Sequence, residues 1–208
     1  MNWSDIPRRV YWRVLRLLGA GRVSWNKQYE SGLWNSGRRS PLTVSLVAEL
    51  CQGGRLVEFG CGTGELPHLL PSGSFSTYVG MDISDVAVAR ARARAAEAGL
   101  RHCEFNAVDM TSWAGAEGVS VILAEECLYY LKPPQIEQFL ERACASLTPQ
   151  GRIVVVVHSA EKHAVTLEVC RRTCRVHDEQ SCEGRAYLIL GVKTPEEGGN
   201  QEDRKVSA

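Results

Sequence analysis

The part of this sequence best suited to chemistry is a run of glycines that alternate with other residues, followed along the chain by an isolated acid. Residues 56–64 read Leu-Val-Glu-Phe-Gly-Cys-Gly-Thr-Gly, and Asp82 ends the next apolar run. Because glycine has no side chain, the backbone of such a turn can lie directly against a ligand. A carboxylate at the tip of the following strand suits the two hydroxyls of a ribose. Together these features predict a site for an adenosine-containing cofactor in a parallel α/β sheet.

The spacing of the glycines separates one class of cofactor from another. A dinucleotide fingerprint has the form Gly-x-Gly-x-x-Gly, whereas Gly64 comes one residue early for that pattern. Glu58 and Glu65 lie in and beside the turn, and their negative charges would repel a pyrophosphate. A zwitterion with an ammonium group tolerates them better. The spacing therefore disfavours a nicotinamide-dependent oxidoreductase.

Five motifs occur in an order that resembles the class I S-adenosylmethionine-dependent methyltransferases, and the resemblance covers most of the chain. They are residues 57–64, 78–84, 106–110, 124–131 and 147–153. The fourth motif contains an acid, two variable residues and Tyr-Tyr-Leu. That form is most similar to small bacterial N-methyltransferases of amino-sugar and natural-product pathways, including the nodulation N-methyltransferases. The resemblance implies S-adenosyl-L-methionine as cofactor, with Glu126 at the position of the motif's acid.

Hydrophobic periodicity and turn residues place these motifs on alternating strands and helices. We expect a doubly wound, mostly parallel sheet of seven strands, in which the resemblance implies an antiparallel last strand. The predicted strands are 55–59, 77–82, 102–107, 119–124, 151–158, 175–182 and 186–192. The predicted helices are 5–18, 42–50, 64–70, 84–98, 134–146 and 161–174. Residues 20–39 are expected to be irregular.

The domain organisation follows from this pattern of elements. Residues 1–39 are expected to form an N-terminal helical cap or lid, and residues 40–194 the methyltransferase domain. Residues 195–208 are polar and almost free of apolar side chains, which predicts a disordered tail.

The resemblance also implies roles for the cofactor-binding residues. Asp82 accepts hydrogen bonds from the ribose, and Glu58 meets the ammonium group, unless it is a strand-end carboxylate stabilised by helix N-termini. Asp109 accepts the adenine amino group, unless it is only a turn aspartate. The remaining residues expected near the cofactor are Gly60, Cys61, Gly62, Ile83, Met110 and Glu125.

The ends of the fourth and fifth strands supply candidate catalytic residues. Alternation along the strand places Glu125 and Glu126 on opposite sides, so they do not form a close dyad. Glu126 and Tyr129 are candidates for orienting an acceptor. His158 is a candidate general base because imidazole titrates near neutral pH. A hydrogen-bonded histidine at a strand end, without a catalytic role, is the alternative.

Aromatic residues in the segment 25–34 follow neither a helical nor a strand period. Exposed aromatic loops usually dock on something, so the segment either packs against the sheet edge or closes as a lid over the cofactor. On the second interpretation Tyr29, Trp34 and Tyr130 line the acceptor pocket. Arg38 and Arg39 then contact the methionine carboxylate or an anionic acceptor.

Composition narrows the classes of partner. Lysine and arginine number 24, as do aspartate and glutamate, which argues against a nucleic-acid partner. The eight cysteines are scattered without a Cys-x-x-Cys pair, and we expect reduced thiols rather than a metal site. We find neither a signal peptide nor an apolar run of membrane-spanning length, so we expect a cytoplasmic location.

The favoured hypothesis is a methyltransferase acting on a nitrogen or oxygen of a small-molecule metabolite. A protein or RNA methyltransferase, docking through its basic N-terminal arm, is one alternative. A cofactor-binding scaffold without catalytic activity is another. The sequence leaves the acceptor and the oligomeric state open.

Overall fold

The computed structural model describes residues 21–34 and 39–193. The predictions for a helix over 5–18, for Arg38 and for the tail 195–208 lie outside these ranges. The strands are β1 (Arg55–Phe59), β2 (Thr77–Asp82), β3 (Cys103–Ala107), β4 (Val119–Glu125), β5 (Leu147–His158), β6 (Arg175–Cys182) and β7 (Arg185–Gly191). The helices are α1 (Gly21–Glu30), α2 (Pro41–Cys51), α3 (Leu66–Leu69), α4 (Asp85–Glu97), α5 (Pro133–Ser146) and α6 (Ala164–Thr173).

The seven strands form one sheet in the order β3-β2-β1-β4-β5-β7-β6. The pairs among β1 to β5 are parallel, and β7 lies antiparallel between β5 and β6. The predicted fold class is therefore confirmed. The order reverses at β1, which has β2 on one side and β4 on the other, and ligands in open α/β sheets bind at such a switch point.

The central strands are buried on both faces, as their unbroken apolar runs predict. Residues 121–124 of β4 and 153–157 of β5 have no exposed surface. One face packs against α5 and α6, through Phe139 and Leu167 among others. The other packs against α2, α3 and α4. This three-layer core fixes the carboxyl ends of β1, β2, β4 and β5 next to one another, at the same end of the sheet.

The helix α1 contradicts the expectation that residues 20–39 are irregular. Its buried side chains include Ser24, Gln28 and Tyr29, so the inward face is largely polar and carries no apolar period. Contacts with α4 hold the helix instead: Arg22 donates to Asp85 at 2.7 Å, and Arg90 donates to the carbonyl of Tyr29 at 3.0 Å. Tertiary contacts thus override a weak local signal.

Two helices differ in how they are capped at their N-termini. Ser84 accepts a hydrogen bond from the Ala87 N–H at 3.2 Å and caps α4. Ser40 occupies the cap position before Pro41, but its hydroxyl makes no capping hydrogen bond. The start of α2 therefore depends on the proline and on packing.

Within residues 21–34 and 39–193, no helix has the length and apolarity needed to span a bilayer. Across the same ranges, no group of three or more His, Cys, Asp or Glu side chains is arranged to hold a metal ion.

Candidate active site

The glycine turn after β1 packs closely against two parts of the core. A Cβ on Gly60 would lie 3.0 Å from the Cβ of Cys127, just after β4. A Cβ on Gly64 would lie 2.8 Å from the ring of Phe105 in β3. These two glycines bring the turn against neighbouring strands. Gly62 differs, since among the described residues a Cβ there would meet only the side chain of Tyr29, with the hydroxyl 3.0 Å away.

Asp82 ends β2 beside this turn and is almost fully buried. Its Oδ2 accepts a hydrogen bond from the Gly62 N–H at 3.0 Å, and its Oδ1 accepts one from the Ser84 N–H at 2.8 Å. Burial raises the pKa of Asp82 to about 6, although the two N–H groups oppose this shift. Each carboxylate oxygen can accept a second hydrogen bond. The group is therefore fixed in place while keeping capacity for a ligand diol.

A buried ion pair network lies at the ends of β1 and β4. Arg39 donates through Nη2 to Glu58 and through Nη1 to Glu125, each at 2.5 Å. Tyr78 donates its hydroxyl to the second oxygen of Glu58 at 2.5 Å, and Thr43 donates to Glu125 at 3.1 Å. Burial lowers the pKa of Arg39, but the charges of the two glutamates outweigh it and raise the value. The network joins the two carboxylates through one guanidinium.

This network changes how the predictions for Glu58 and Arg39 are interpreted. Glu58 has no exposed surface, and donors from two side chains already engage it. Arg39 binds both glutamates, where the sequence predicted a contact with the methionine carboxylate or an anionic acceptor. A direct ligand role for either residue stays a prediction.

Tyr78→Phe is expected to lower the free energy of unfolding by about 1–3 kcal/mol, because it leaves a buried carboxylate oxygen without its hydroxyl donor. Tyr187→Phe is the matched control, since Tyr187 is fully buried and its hydroxyl has no hydrogen-bond partner among the described residues. Urea unfolding of both variants measures the difference. Equal losses would show that the bond to Glu58 contributes nothing.

Glu126 lies just after β4 in a left-handed backbone conformation, with φ of 56°. Its Oε2 accepts hydrogen bonds from the Tyr129 hydroxyl at 2.8 Å and from His158 Nδ1 at 2.6 Å. Its Oε1 is buried and makes no hydrogen bond within the part of the chain that the structure describes, and Arg185 Nε lies 3.9 Å away. The sequence treated Glu126 and His158 as separate candidates, whereas the structure joins them in one acid–histidine pair. Glu125 faces Arg39 on the other side, as alternation predicts.

Aromatic rings surround this pair. His163 stacks on Tyr129 with a centroid distance of 3.9 Å and an interplanar angle of 15°. Burial, followed by the charge of His158, lowers the pKa of His163, and its buried Nε2 has no hydrogen-bond partner in residues 21–34 and 39–193. Tyr130 and Trp34 are each 43% exposed, and Trp25 packs between them at centroid distances of 5.2 and 5.8 Å. The rings of α1 thus adjoin those that follow β4.

The other predicted cofactor residues also lie at the carboxyl ends of the strands. Asp109 accepts a hydrogen bond from the Thr111 N–H at 2.9 Å and caps a 3-10 turn that begins at Met110, as the turn interpretation proposed. Cys61 is buried in the glycine turn. Ile83 is half-buried, and a Cβ on Gly21 of α1 would lie 3.7 Å from its Cδ1.

Three residues of the site were not identified from the sequence: Thr43, Tyr78 and Arg185. The sequence contained one indication of the role of Tyr78, because Gly80 of β2 lies opposite Glu58 of β1 in the sheet. A glycine opposite a buried acid leaves room for a neighbouring side chain to reach it. Thr43 and Arg185 reach the site only through tertiary packing.

The strand order with its antiparallel β7 is that of the Rossmann-like methyltransferase fold. Residues 56–151, a little under half of the chain, match the family described as a methyltransferase domain. The matched segment runs from β1 into β5 and includes the glycine turn, Asp82, Asp109 and Glu126. The resemblance predicted from the motifs is therefore confirmed for this segment.

Curated relatives and a solved structure agree with that match. The chain is 23% identical over 124 residues to a 2-heptyl-1-hydroxyquinolin-4(1H)-one methyltransferase of Mycobacteroides abscessus, covering 60% of this chain and 54% of the relative. It is 28% identical over 110 residues to a putative methyltransferase of Geobacillus, covering 52% and 44%. The chain thus spans about half the length of these relatives.

The fold is similar to that of the N-methyltransferase NodS from Bradyrhizobium japonicum, solved in complex with S-adenosyl-L-homocysteine. The TM-score is 0.62 at 17% identity, over 74% of this chain and 87% of that one. At this identity the likeness concerns the fold.

Proposed function

We propose that this chain binds S-adenosyl-L-methionine at the carboxyl ends of β1 and β2 and transfers its methyl group to a nitrogen or oxygen of a small-molecule metabolite. The observation that carries the proposal is Asp82, a buried carboxylate fixed by two backbone N–H groups beside Gly62. It lies at the switch point of the sheet, inside the segment that matches a methyltransferase domain. The cofactor supplies an activated methyl group and a neutral leaving group.

The charges near the glycine turn fit a zwitterionic ligand. Arg39 offers a guanidinium for the carboxylate of a methionine moiety, while Glu58 and Glu125 supply negative charge for its ammonium group. On this proposal Asp82 holds the ribose. Ile83 and Met110 cover the adenine, and Asp109 accepts from its amino group.

Tyr29 covers the part of the turn that a ligand would approach. Its hydroxyl lies where a side chain on Gly62 would point. Burial and the charge of Asp82 raise its pKa, so the hydroxyl is neutral at physiological pH. Binding against Gly62 therefore requires the Tyr29 side chain or α1 to move aside. This makes α1 the lid of the proposed site.

Isothermal titration calorimetry with S-adenosylmethionine, S-adenosylhomocysteine and NAD tests the cofactor. We expect the first two to bind and NAD not to bind. A labelled-methyl assay then compares a panel of amines and phenols with bulk protein and ribosomal RNA as acceptors. Binding of NAD alone would refute the proposal. Transfer only to protein or RNA would refute its small-molecule part.

The relative of Mycobacteroides abscessus supports the choice of a small molecule, since its name specifies a hydroxyquinolinone as substrate. The basic residues of the first forty, which suggested docking to protein or RNA, are described only in part. Among those described, Arg22 pairs with Asp85, and Arg39 pairs with Glu58 and Glu125, so these charges are already engaged.

A further inference from the structure

The pair formed by Glu126 and His158, with the aromatic rings around it, narrows the choice of acceptor molecule. We propose, as an inference that rests on the proposed function, that the acceptor is a planar aromatic molecule with an ionisable hydroxyl group. Nε2 of His158 removes the hydroxyl proton, and Glu126 holds the imidazole in position.

The hydrogen bonds of Glu126 fix the tautomer of His158. The 2.6 Å contact joins Nδ1 to a carboxylate oxygen, so Nδ1 carries a proton that it donates to Glu126. In the neutral imidazole Nε2 then has a free lone pair. The His158 side chain is 54% exposed, which leaves the ring accessible to an incoming molecule. A carboxylate behind an imidazole also stabilises the imidazolium that forms when Nε2 takes a proton.

The backbone of Glu126 is held in an uncommon conformation. Its φ of 56° lies in the left-handed region, which non-glycine residues seldom adopt. A hydrogen bond from its N–H to the Val156 carbonyl at 2.9 Å secures it against β5. In this conformation the Glu126 side chain contacts His158, while that of Glu125 contacts Arg39. Such strain tends to occur at functional sites.

The surroundings of the pair suit a flat apolar molecule. The stacked rings of Tyr129 and His163 form one side, and the exposed ring of Tyr130 lies 4.7 Å from Tyr129. Trp25 extends this surface onto α1. Aromatic rings favour offset or edge-to-face packing against other rings.

The charges favour an oxygen nucleophile over an amine. Arg185 lies 3.9 Å from Glu126 and also 3.9 Å from Glu183, and the charge of Lys162 acts on His163. When His158 becomes an imidazolium, its charge stabilises a neighbouring phenolate. The same imidazolium would repel an acceptor that finishes as an ammonium group.

The pair lies next to the proposed cofactor site. Cys127, which follows Glu126, packs against Gly60 and donates its thiol to the Phe59 carbonyl at 3.4 Å. In the proposed step the acceptor O–H proton passes to His158 Nε2, and an oxygen lone pair forms the new bond to the methyl carbon. The electrons of the carbon–sulfur bond remain on sulfur, which leaves as a neutral thioether. His158 later releases the proton to solvent.

The first test uses 4-nitrophenol bound to the chain in the presence of S-adenosylhomocysteine, where no turnover occurs. The absorbance of its phenolate reports the ionised fraction as pH is varied. We expect the apparent pKa of bound 4-nitrophenol to fall by about one unit, a tenfold larger ionised fraction, in the unaltered chain. The shift should disappear in His158→Ala and remain in His102→Ala, whose exposed histidine precedes β3 away from the site. A shift of equal size in His158→Ala, or none in the unaltered chain, would overturn the inference.

The second test measures methyl transfer to p-cresol, 4-nitrophenol and p-toluidine. General base catalysis predicts that His158→Ala lowers kcat for weakly acidic p-cresol about 100-fold, with much less effect on 4-nitrophenol, which ionises readily. Transfer only to p-toluidine, or binding of neither phenol, would overturn the inference. Failure of S-adenosylhomocysteine to bind would instead overturn the proposed function, so the two failures are distinct.

Discussion

Calorimetric titration of Asp82→Asn with S-adenosylhomocysteine is expected to give an affinity about 100-fold below that of the unaltered chain. The substitution removes a carboxylate that is buried and fixed by the N–H groups of Gly62 and Ser84. Asparagine keeps one acceptor oxygen, so one ribose hydroxyl loses its hydrogen bond to a charged acceptor, worth roughly 1.5–3 kcal/mol, or about 10- to 150-fold in affinity.

Asp178→Asn is the control, because Asp178 lies on the exposed edge strand β6. It should bind as the unaltered chain does. If Asp82→Asn kept full affinity while remaining folded, the assignment of the ribose site would be wrong.

The same variant should change how stability depends on pH. The pKa of Asp82 is about 6 in the folded chain against an ordinary value of 3.8, so the folded state binds more protons between these values. Stability contributed by the protonated acid is therefore present below pH 3.8 and is lost as pH rises through 6. From pH 4 to pH 7 the unaltered chain should lose about 2 kcal/mol more than Asp82→Asn. Urea unfolding at several pH values checks this, and parallel curves would contradict it.

Arg39→Met is expected to lower the free energy of unfolding by about 3–5 kcal/mol, because it leaves Glu58 and Glu125 buried without their shared cation. Burial already raises the pKa of Glu125, and Arg39 opposes that shift. Without Arg39 the carboxyl pKa rises further, so the loss should be larger at pH 7 than at pH 4. Urea unfolding at both pH values measures it.

Arg171→Met provides the contrast, since Arg171 pairs with Glu179 on the surface. Breaking an exposed pair should cost less than about 1 kcal/mol. Adding Glu125→Gln to Arg39→Met should recover part of the stability. Equal losses in the two arginine variants would mean that the buried network does not stabilise the chain.

The strands were predictable because their patterns are local. The apolar runs of β1, β2, β4 and β5 mark buried strands regardless of their partners, and the glycine turn marks where β1 stops. The helix α1 was not predictable from periodicity, since its buried face includes Ser24 and Gln28. Its conformation depends on α4, which lies far along the chain.

The site residues likewise include some that local sequence predicts and others that depend on tertiary contacts. Asp82 and the glycine turn belong to one strand–turn–helix–strand unit, so their spacing alone predicts that they meet. The pairing of Glu126 with His158 depends instead on the register of β4 against β5 and on the left-handed backbone of Glu126. The role of Arg39 was not predictable either, since nothing in the sequence indicates that its guanidinium joins the ends of β1 and β4.

The position of β7 determines when, during translation, the surroundings of Glu126 can be completed relative to the residues proposed to bind the nucleoside. His158 pairs with Arg185 across β5 and β7, and a slip of one residue would turn Arg185 to the opposite face. The glycine turn and Asp82 leave the ribosome long before β7 does. A nascent chain that ends before residue 183 holds every residue proposed to bind the nucleoside. It still lacks the cation beside Glu126 and the strand that covers the outer edge of β5.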